Sequence, residues 1–143
     1  MFTRFAVLSL VLFSPSLAQA APAPISGLWL TEIDKGLIRM SSCGANMCAT
    51  IMGPSVPAPK DAPPAYDVKN GDKKLRSRLL KGLVILSDAK PNGDHWQGHI
   101  YSPNDGRIFP ASFNAEADGT LRVKGCWGFI CMTQYWKPVK QPA

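Results

Sequence analysis

The sequence lacks the short motifs that mark the common enzyme classes. It contains no Gly-x-Ser-x-Gly, no His-Glu-x-x-His, no phosphate-binding P-loop and no dinucleotide-binding glycine fingerprint. Histidine is scarce as well, since His95 and His99 are the only two. On one face of a strand these two residues would lie about 13 Å apart, too far to share one metal ion. The sequence therefore predicts no enzyme, no cofactor and no metal site.

Long hydrophobic runs are also scarce, and the one that exists lies near the N-terminus. Residues 5–13 are apolar apart from Ser9, Arg4 precedes them, and Ala18-Gln19-Ala20 fits the small-x-small rule for signal cleavage. The run is shorter than the roughly 20 residues that span a bilayer. We therefore expect a cleaved signal peptide over residues 1–20 and one domain over residues 21–143, with an uncleaved anchor as the alternative. The expected location is periplasmic or secreted, without a lipid anchor, because the residue directly after the cleavage site is Ala21 and not cysteine.

A strong concentration of charge of one sign is missing too. Sixteen basic and ten acidic side chains give a net charge of +6, and they are scattered along the chain. A scattered charge of this size suits a protein that contacts anionic surfaces, but it is not the dense basic patch of a nucleic-acid-binding protein. We therefore expect no nucleic-acid partner.

Cysteine is present four times, in two brackets that each enclose four residues. Each bracket lies between two strand-like runs, which is typical of a hairpin stapled across its loop. Residues that flank a four-residue hairpin loop face each other at a distance that suits a disulfide. We therefore expect Cys43 to pair with Cys48 and Cys126 with Cys131 in an oxidising compartment. A zinc site with four thiolates is the alternative, and export argues against it.

Eight short strand-like runs follow residue 25, separated by turn residues. They cover residues 27–31, 37–42, 48–52, 83–86, 95–101, 108–113, 121–125 and 132–137. Sequential strands joined by tight turns favour an all-β fold, an eight-stranded up-and-down antiparallel barrel. Such a barrel encloses only side chains or one small ligand. An open meander or a two-sheet sandwich stays open as an alternative, and Pro110 marks a bulge or a locally unpaired position.

The connection between strands three and four breaks this regular spacing. It runs through about 28 residues, 54–81, and its first half is rich in proline. Its second half, residues 72–81, predicts about two turns of helix with Asp72 as the N-cap. A long ordered loop on a rigid barrel is often a lid or a binding element. A solvated strap over the outside of the barrel is the alternative.

This connection and the loop at residues 127–130 meet at one end of an up-and-down barrel. Lysines and arginines are frequent in the connection, and apolar loop tips are unusual when solvent is their only neighbour. We hypothesise a mouth that binds a small hydrophobic or amphipathic, anionic, lipid-like molecule, in a protein that is a monomer. The candidate ligand-binding residues are Trp127, Phe129, Arg76, Arg78, Tyr101 and Trp96. Two alternatives stay open: the loop folds back as a core plug, or it forms the partner surface of a cell-envelope interaction module.

The order of several motifs resembles that of one bacterial family. The motifs are Gly27-Leu28-Trp29, the first cysteine bracket, residues 76–86, residues 96–106, residues 121–125 and Gln134-Tyr135-Trp136. This pattern is similar to the exported bacterial family of unknown function designated DUF2147. The resemblance implies a small lipocalin-like barrel without an established enzymatic activity. Two positions depart from the family pattern, since Ser102 stands where Asp is common and Asp88 where Gly is common.

Overall fold

Eight β-strands make up nearly all the regular structure of residues 14–140, the part of the chain that this computed structural model describes. Their lengths of four to ten residues are usual for a small β domain. In chain order the strands are β1 (Gly27–Leu30), β2 (Gly36–Cys43), β3 (Asn46–Pro54), β4 (Val84–Asn92), β5 (His95–Ser102), β6 (Arg107–Ala115), β7 (Leu121–Trp127) and β8 (Ile130–Val139).

Each strand pairs antiparallel with the next, and β8 pairs with β1 to close the barrel. The predicted up-and-down barrel is therefore confirmed, and the open meander and the two-sheet sandwich are wrong. Consecutive connections alternate between the two ends of such a barrel. The β1–β2, β3–β4, β5–β6 and β7–β8 connections share one end, called the strap end below. The other three connections lie at the opposite end.

The inward-facing side chains form a single apolar core. Every second residue of a strand points inward, so alternate positions of the barrel strands supply this core. Its largest fully buried apolar side chains are Phe113, Ile25, Met40, Leu86 and Leu121. Trp29 also lies in the core, and its indole nitrogen donates a 3.0 Å hydrogen bond to the carbonyl of Ile25. Burying each such side chain contributes about 1.5–3 kcal/mol to stability.

Both predicted disulfides are present, and their local pairing is confirmed. The loops are shorter than expected, because strand pairing continues past the cysteines. Cys126 faces Cys131 across the ladder, and one further pair follows before the turn. In the first bracket Cys43 faces Asn46 instead, so the bond to Cys48 runs diagonally. Longer strands satisfy more backbone N–H and C=O groups, which favours a two-residue turn over the predicted four-residue loop.

The long β3–β4 connection, residues 55–83, is called the strap below. It doubles back on itself: the Asp67 amide donates to the Arg78 carbonyl at 3.0 Å and the Leu80 amide to the Ala65 carbonyl at 2.9 Å. This pairing occupies residues 78–80, so the predicted two-turn helix is wrong. Only a single 3-10 turn, Lys73–Leu75, forms. Its predicted cap is confirmed, because the Asp72 carboxylate accepts from the Lys74 amide at 2.9 Å.

The predicted signal peptide falls mostly outside the described residues, since its apolar core is residues 5–13. Its cleavage therefore stays a prediction. Two disulfides fit an exported protein, because such bonds persist in oxidising compartments. Over residues 14–140, no helix has the length and apolar character needed to cross a bilayer.

Candidate functional site

The ladder between β4 and β5 is interrupted towards the strap end. Backbone pairing extends only from Lys90–Gln97 to Asn92–His95, next to the β4–β5 turn. The register between β3 and β4 shifts twice in the same region, which is the signature of β-bulges. Further towards the strap end, the β4 backbone runs very close to β5. A Cβ added at Gly98 would lie 2.8 Å from the Ala89 Cα atom. The irregular path of β4 opens the outer surface of the barrel beside β5.

The Asp88 side chain bridges the interruption. Its carboxylate accepts the His99 amide at 2.8 Å and the His99 ring nitrogen Nδ1 at 2.7 Å. The first contact replaces a backbone acceptor that the ladder would have supplied. Partial burial opposes ionisation of Asp88, but the two hydrogen bonds and the charge of His99 outweigh it and lower the pKa of the carboxyl below its ordinary value. The imidazole is thereby held at the surface of the opening.

The strap is fixed to the outer face of β5 by a buried carboxylate, Asp67. Asp67 accepts hydrogen bonds from the Tyr101 hydroxyl at 2.6 Å, the Arg78 Nε at 2.8 Å and the Asn70 amide at 2.8 Å. Burial opposes its ionisation, yet these three donors together keep the pKa of Asp67 below its ordinary value. Burial and the bond to Asp67 raise the pKa of Tyr101. The Arg78 guanidinium also lies over the Tyr101 ring, 5.2 Å from its centre.

A second contact presses the strap against the β5–β6 turn. Gly106 lies in this turn with a φ of +65°, and a Cβ at this position would overlap the carbonyl oxygen of Lys69. On this side of the barrel, the strap therefore contacts both Tyr101 and Gly106. Between these contacts and β4, the outer surface stays uncovered.

The uncovered surface is a cleft with a volume of about 750 Å³. Three parts of the chain line it: the strap, the irregular half of β4, and the end of β5 with the start of β6 and the turn between them. The lining residues are Asn70, Gly71, Leu75, Arg78, Val84, Ile85, Leu86, Ser87, Asp88, His99, Tyr101, Gly106, Arg107 and Ile108.

Apolar and cationic groups share the walls of this cleft. Leu75, Val84 and Ile108 are exposed apolar side chains, and Arg107 adds a guanidinium beside them. The Arg107 guanidinium lies 4.4 Å from the centre of the Trp127 ring, a cation–π contact. This arginine therefore links the cleft to the β7–β8 turn at the strap end.

Comparison with known proteins places this barrel in a family. Residues 27–138 match the family model described as "Uncharacterized protein conserved in bacteria (DUF2147)". The chain belongs to DUF2147. Its structure is similar to that of a Helicobacter pylori protein described as belonging to the lipocalin family, with a TM-score of 0.70 and 21% sequence identity over 82% of this chain and 84% of that one. A likeness at this identity shows that the DUF2147 chain has a lipocalin-like fold. No curated protein matches it.

The DUF2147 barrel brings together only part of the set of candidate ligand-binding residues. Arg78 and Tyr101 line the cleft. Arg76 lies in the strap, where its Nε donates to the Asn70 carbonyl at 2.8 Å, and it does not line the cleft. Trp96 lies near the opposite end of the barrel, where its indole nitrogen donates to the Ala23 carbonyl at 3.0 Å.

Trp127 and Phe129 lie at the end of the β7–β8 hairpin, and neither is part of the apolar core of the DUF2147 barrel. Both side chains are exposed, so the predicted alternative of a core plug does not describe this structure. Neither residue lines the cleft, but Trp127 contacts the lining residue Arg107.

Sequence reasoning missed three side chains of the DUF2147 site, Asp67, His99 and Arg107. Asp67 lies in the strap, and its partner Tyr101 is 34 residues away. The bridge from His99 to Asp88 depends on a bulge in β4, and no local sequence pattern predicts that bulge. The sequence feature that could have indicated this bridge is Asp88, a charged side chain where the family commonly has glycine.

Proposed function

We propose that this DUF2147 barrel binds, rather than transforms, a small molecule that has an apolar body and an anionic group. The observation that carries the proposal is the cleft of about 750 Å³, whose apolar walls lie beside Arg78 and Arg107. Ligand sites in proteins usually measure about 300–1,000 Å³ and combine apolar walls with a few well-placed polar groups. The cleft has this size and this composition.

Arg107 is the residue assigned to bind the anionic group of the ligand, and this assignment rests on its charge. None of the ion pairs formed within residues 14–140 includes Arg107, whereas Arg78 is paired with Asp67. A guanidinium binds a carboxylate or phosphate through two parallel hydrogen bonds. The contact with the Trp127 ring restricts the motion of Arg107, so a ligand meets a cation that is already held in place.

The apolar body of the ligand is assigned to the outer cleft and not to the barrel interior. Interior positions are occupied by large buried side chains such as Trp29, Met40 and Phe113. Ile108, by contrast, is two-thirds exposed on the outer face of β6. An alkyl or aromatic group placed over Ile108 and Val84 would bury apolar surface that now faces water.

A matched pair of ligands tests the assignment. Oleate and oleyl alcohol share an alkyl chain and differ in charge, so calorimetric titration of both separates the two parts of the site. We expect oleate to bind more tightly. Arg107→Gln should weaken oleate binding about tenfold and leave oleyl alcohol nearly unchanged, because a hydrogen bond to a charged group contributes about 1.5 kcal/mol or more.

Arg122→Gln is the control, since Arg122 pairs with Glu116 near the opposite end of the barrel. It should leave binding of both probes unchanged. A second variant, Ile108→Glu, should abolish oleate binding by removing an apolar contact and adding a repelling charge. If the unmodified protein binds neither probe, or if Arg107→Gln and Arg122→Gln behave alike, the proposed cleft function is wrong.

A further inference from the structure

The backbone ladders that join the β7–β8 hairpin to its two neighbouring strands both stop before its turn. Its ladder with β6 ends at Ala111–Gly125, and the ladder between β8 and β1 ends at Leu30–Lys137. Pro110 has no amide hydrogen to donate, and it stands where pairing with β7 stops. Residues 126–133 form what is called the hairpin tip below. The Cys126–Cys131 disulfide staples it.

The hairpin tip exposes four large apolar side chains. Trp127 is 64% exposed, Phe129 is fully exposed at 106%, Ile130 is 78% exposed and Met132 is 61% exposed. No strand in the described part of the chain other than its own hairpin partner pairs with this tip. A stapled hairpin cannot easily fold back to hide these groups. The molecule therefore presents a rigid apolar wedge to its surroundings.

Basic side chains outnumber acidic ones in the connections at the same end of the barrel. The strap contains seven lysines and arginines and three acidic residues, so it carries a net charge of +4 out of the +6 of the whole chain. Two of these acidic groups are already engaged, Asp67 with Arg78 and Asp72 as the cap of the 3-10 turn. Lys73 and Lys74 are exposed. Arg107 adds a further cation directly on the ring of Trp127.

We propose that the hairpin tip inserts into the surface of an anionic lipid bilayer. A tip with a two-residue turn is a narrow wedge, whereas a stable protein interface needs a surface of about 800 Å² on each partner. Aromatic side chains with basic neighbours prefer the boundary between headgroups and acyl chains. The wedge supplies the apolar contact, and the strap supplies the attraction to anionic headgroups.

This interaction goes beyond ligand binding in the cleft and does not depend on it. Phe129, Lys73 and Lys74 do not line the cleft. Variants at these positions therefore report on the bilayer contact alone, while the oleate titration reports on the cleft.

Vesicle flotation of the oxidised protein tests the proposal. Vesicles of phosphatidylglycerol and phosphatidylethanolamine should carry the protein, and vesicles of phosphatidylcholine should carry much less. Phe129→Ala should lower partitioning into the anionic vesicles roughly tenfold or more, because a phenyl group is no longer buried. Phe129→Leu, which keeps an apolar side chain, should retain most of the binding.

A charge-reversal pair provides the electrostatic control. Lys73→Glu with Lys74→Glu should lower binding to anionic vesicles at least tenfold, since each lysine near such a surface contributes about fivefold. Lys90→Glu reverses one lysine charge near the opposite end of the barrel and should have little effect. Equal binding to neutral and anionic vesicles, equal effects of the strap and Lys90 variants, or a tip-dependent dimer in light scattering without vesicle binding would each overturn the proposal.

Discussion

Replacing Asp67 by Asn should release the strap from the outer face of β5. The substitution keeps the size of the side chain and removes its charge. The carboxylate now accepts from Tyr101, Arg78 and Asn70. An amide has only one acceptor oxygen, and its NH₂ group would face donors. At least one of these three donors therefore loses its partner.

The expected cost follows from the geometry. Hydrogen bonds to a charged group contribute about 1.5–3 kcal/mol each, and breaking a buried ion pair costs about 3–5 kcal/mol. The Arg78 side chain is 34% exposed, so water replaces part of its bonding once the partner is gone. We therefore expect about 3 kcal/mol. The loss should be local, since Asp67 joins the strap to the barrel but does not lie between barrel strands.

Amide hydrogen exchange measures this local free energy. The Leu80 amide, bonded to the Ala65 carbonyl, reports on the doubled-back strap. A loss of about 3 kcal/mol should speed its exchange roughly a hundredfold, while amides of β6 and β7 keep their rates. Asp61→Asn removes the same charge from an exposed site in the strap. It should change neither the exchange rate of the Leu80 amide nor those of the β6 and β7 amides. If strap exchange is the same in the two variants, the buried carboxylate does not hold the strap.

Two further predictions concern stability at acidic pH and the substitution of a turn glycine. The folded-state pKa values of Asp67 and Asp88 are lowered relative to about 3.9 in the unfolded chain. The two carboxylates therefore stabilise the folded protein above that pH, and this contribution disappears as the pH falls through the folded-state pKa values. Thermal melts should lose stability steadily below about pH 5, and an unchanged melting temperature down to pH 2 would contradict this. Gly106→Ala should lower the free energy of unfolding in urea more than Gly119→Ala. Both glycines have positive φ, but only a Cβ at Gly106 meets the Lys69 carbonyl. Equal losses of unfolding free energy would mean that the strap does not press on this turn.

The strands could be predicted because alternation is a local property. In β5 the prediction places Trp96, Gly98 and Ile100 on one face, and Gly98 is indeed buried opposite Ala111. The length of β4 could not be predicted, because its second half contains Lys90, Pro91 and Asn92. Those residues are poor strand formers, and they pair only because β5 follows immediately and supplies a ladder.

The cleft was less accessible to sequence reasoning, since its walls come from distant parts of the chain. Topology alone predicted that the strap and the β7–β8 turn share one end, and the closed barrel places Arg78 and Trp127 at that end. The predicted helix failed because residues 78–80 pair backwards with residues 65–67, a contact with no periodic signature. Trp96 lies near the opposite end of the barrel and does not line the cleft.

Arg107 is the residue where the cleft and the hairpin tip meet. As the first residue of β6, it faces the cleft and also lies on the ring of Trp127. A tip inserted in an anionic bilayer would hold this arginine at the headgroup level, where amphipathic anions are concentrated. The barrel would then present its cleft beside the surface that supplies its ligand. Because Ile108 lines the cleft and Phe129 and Lys73 do not, binding to vesicles and binding of oleate can fail independently.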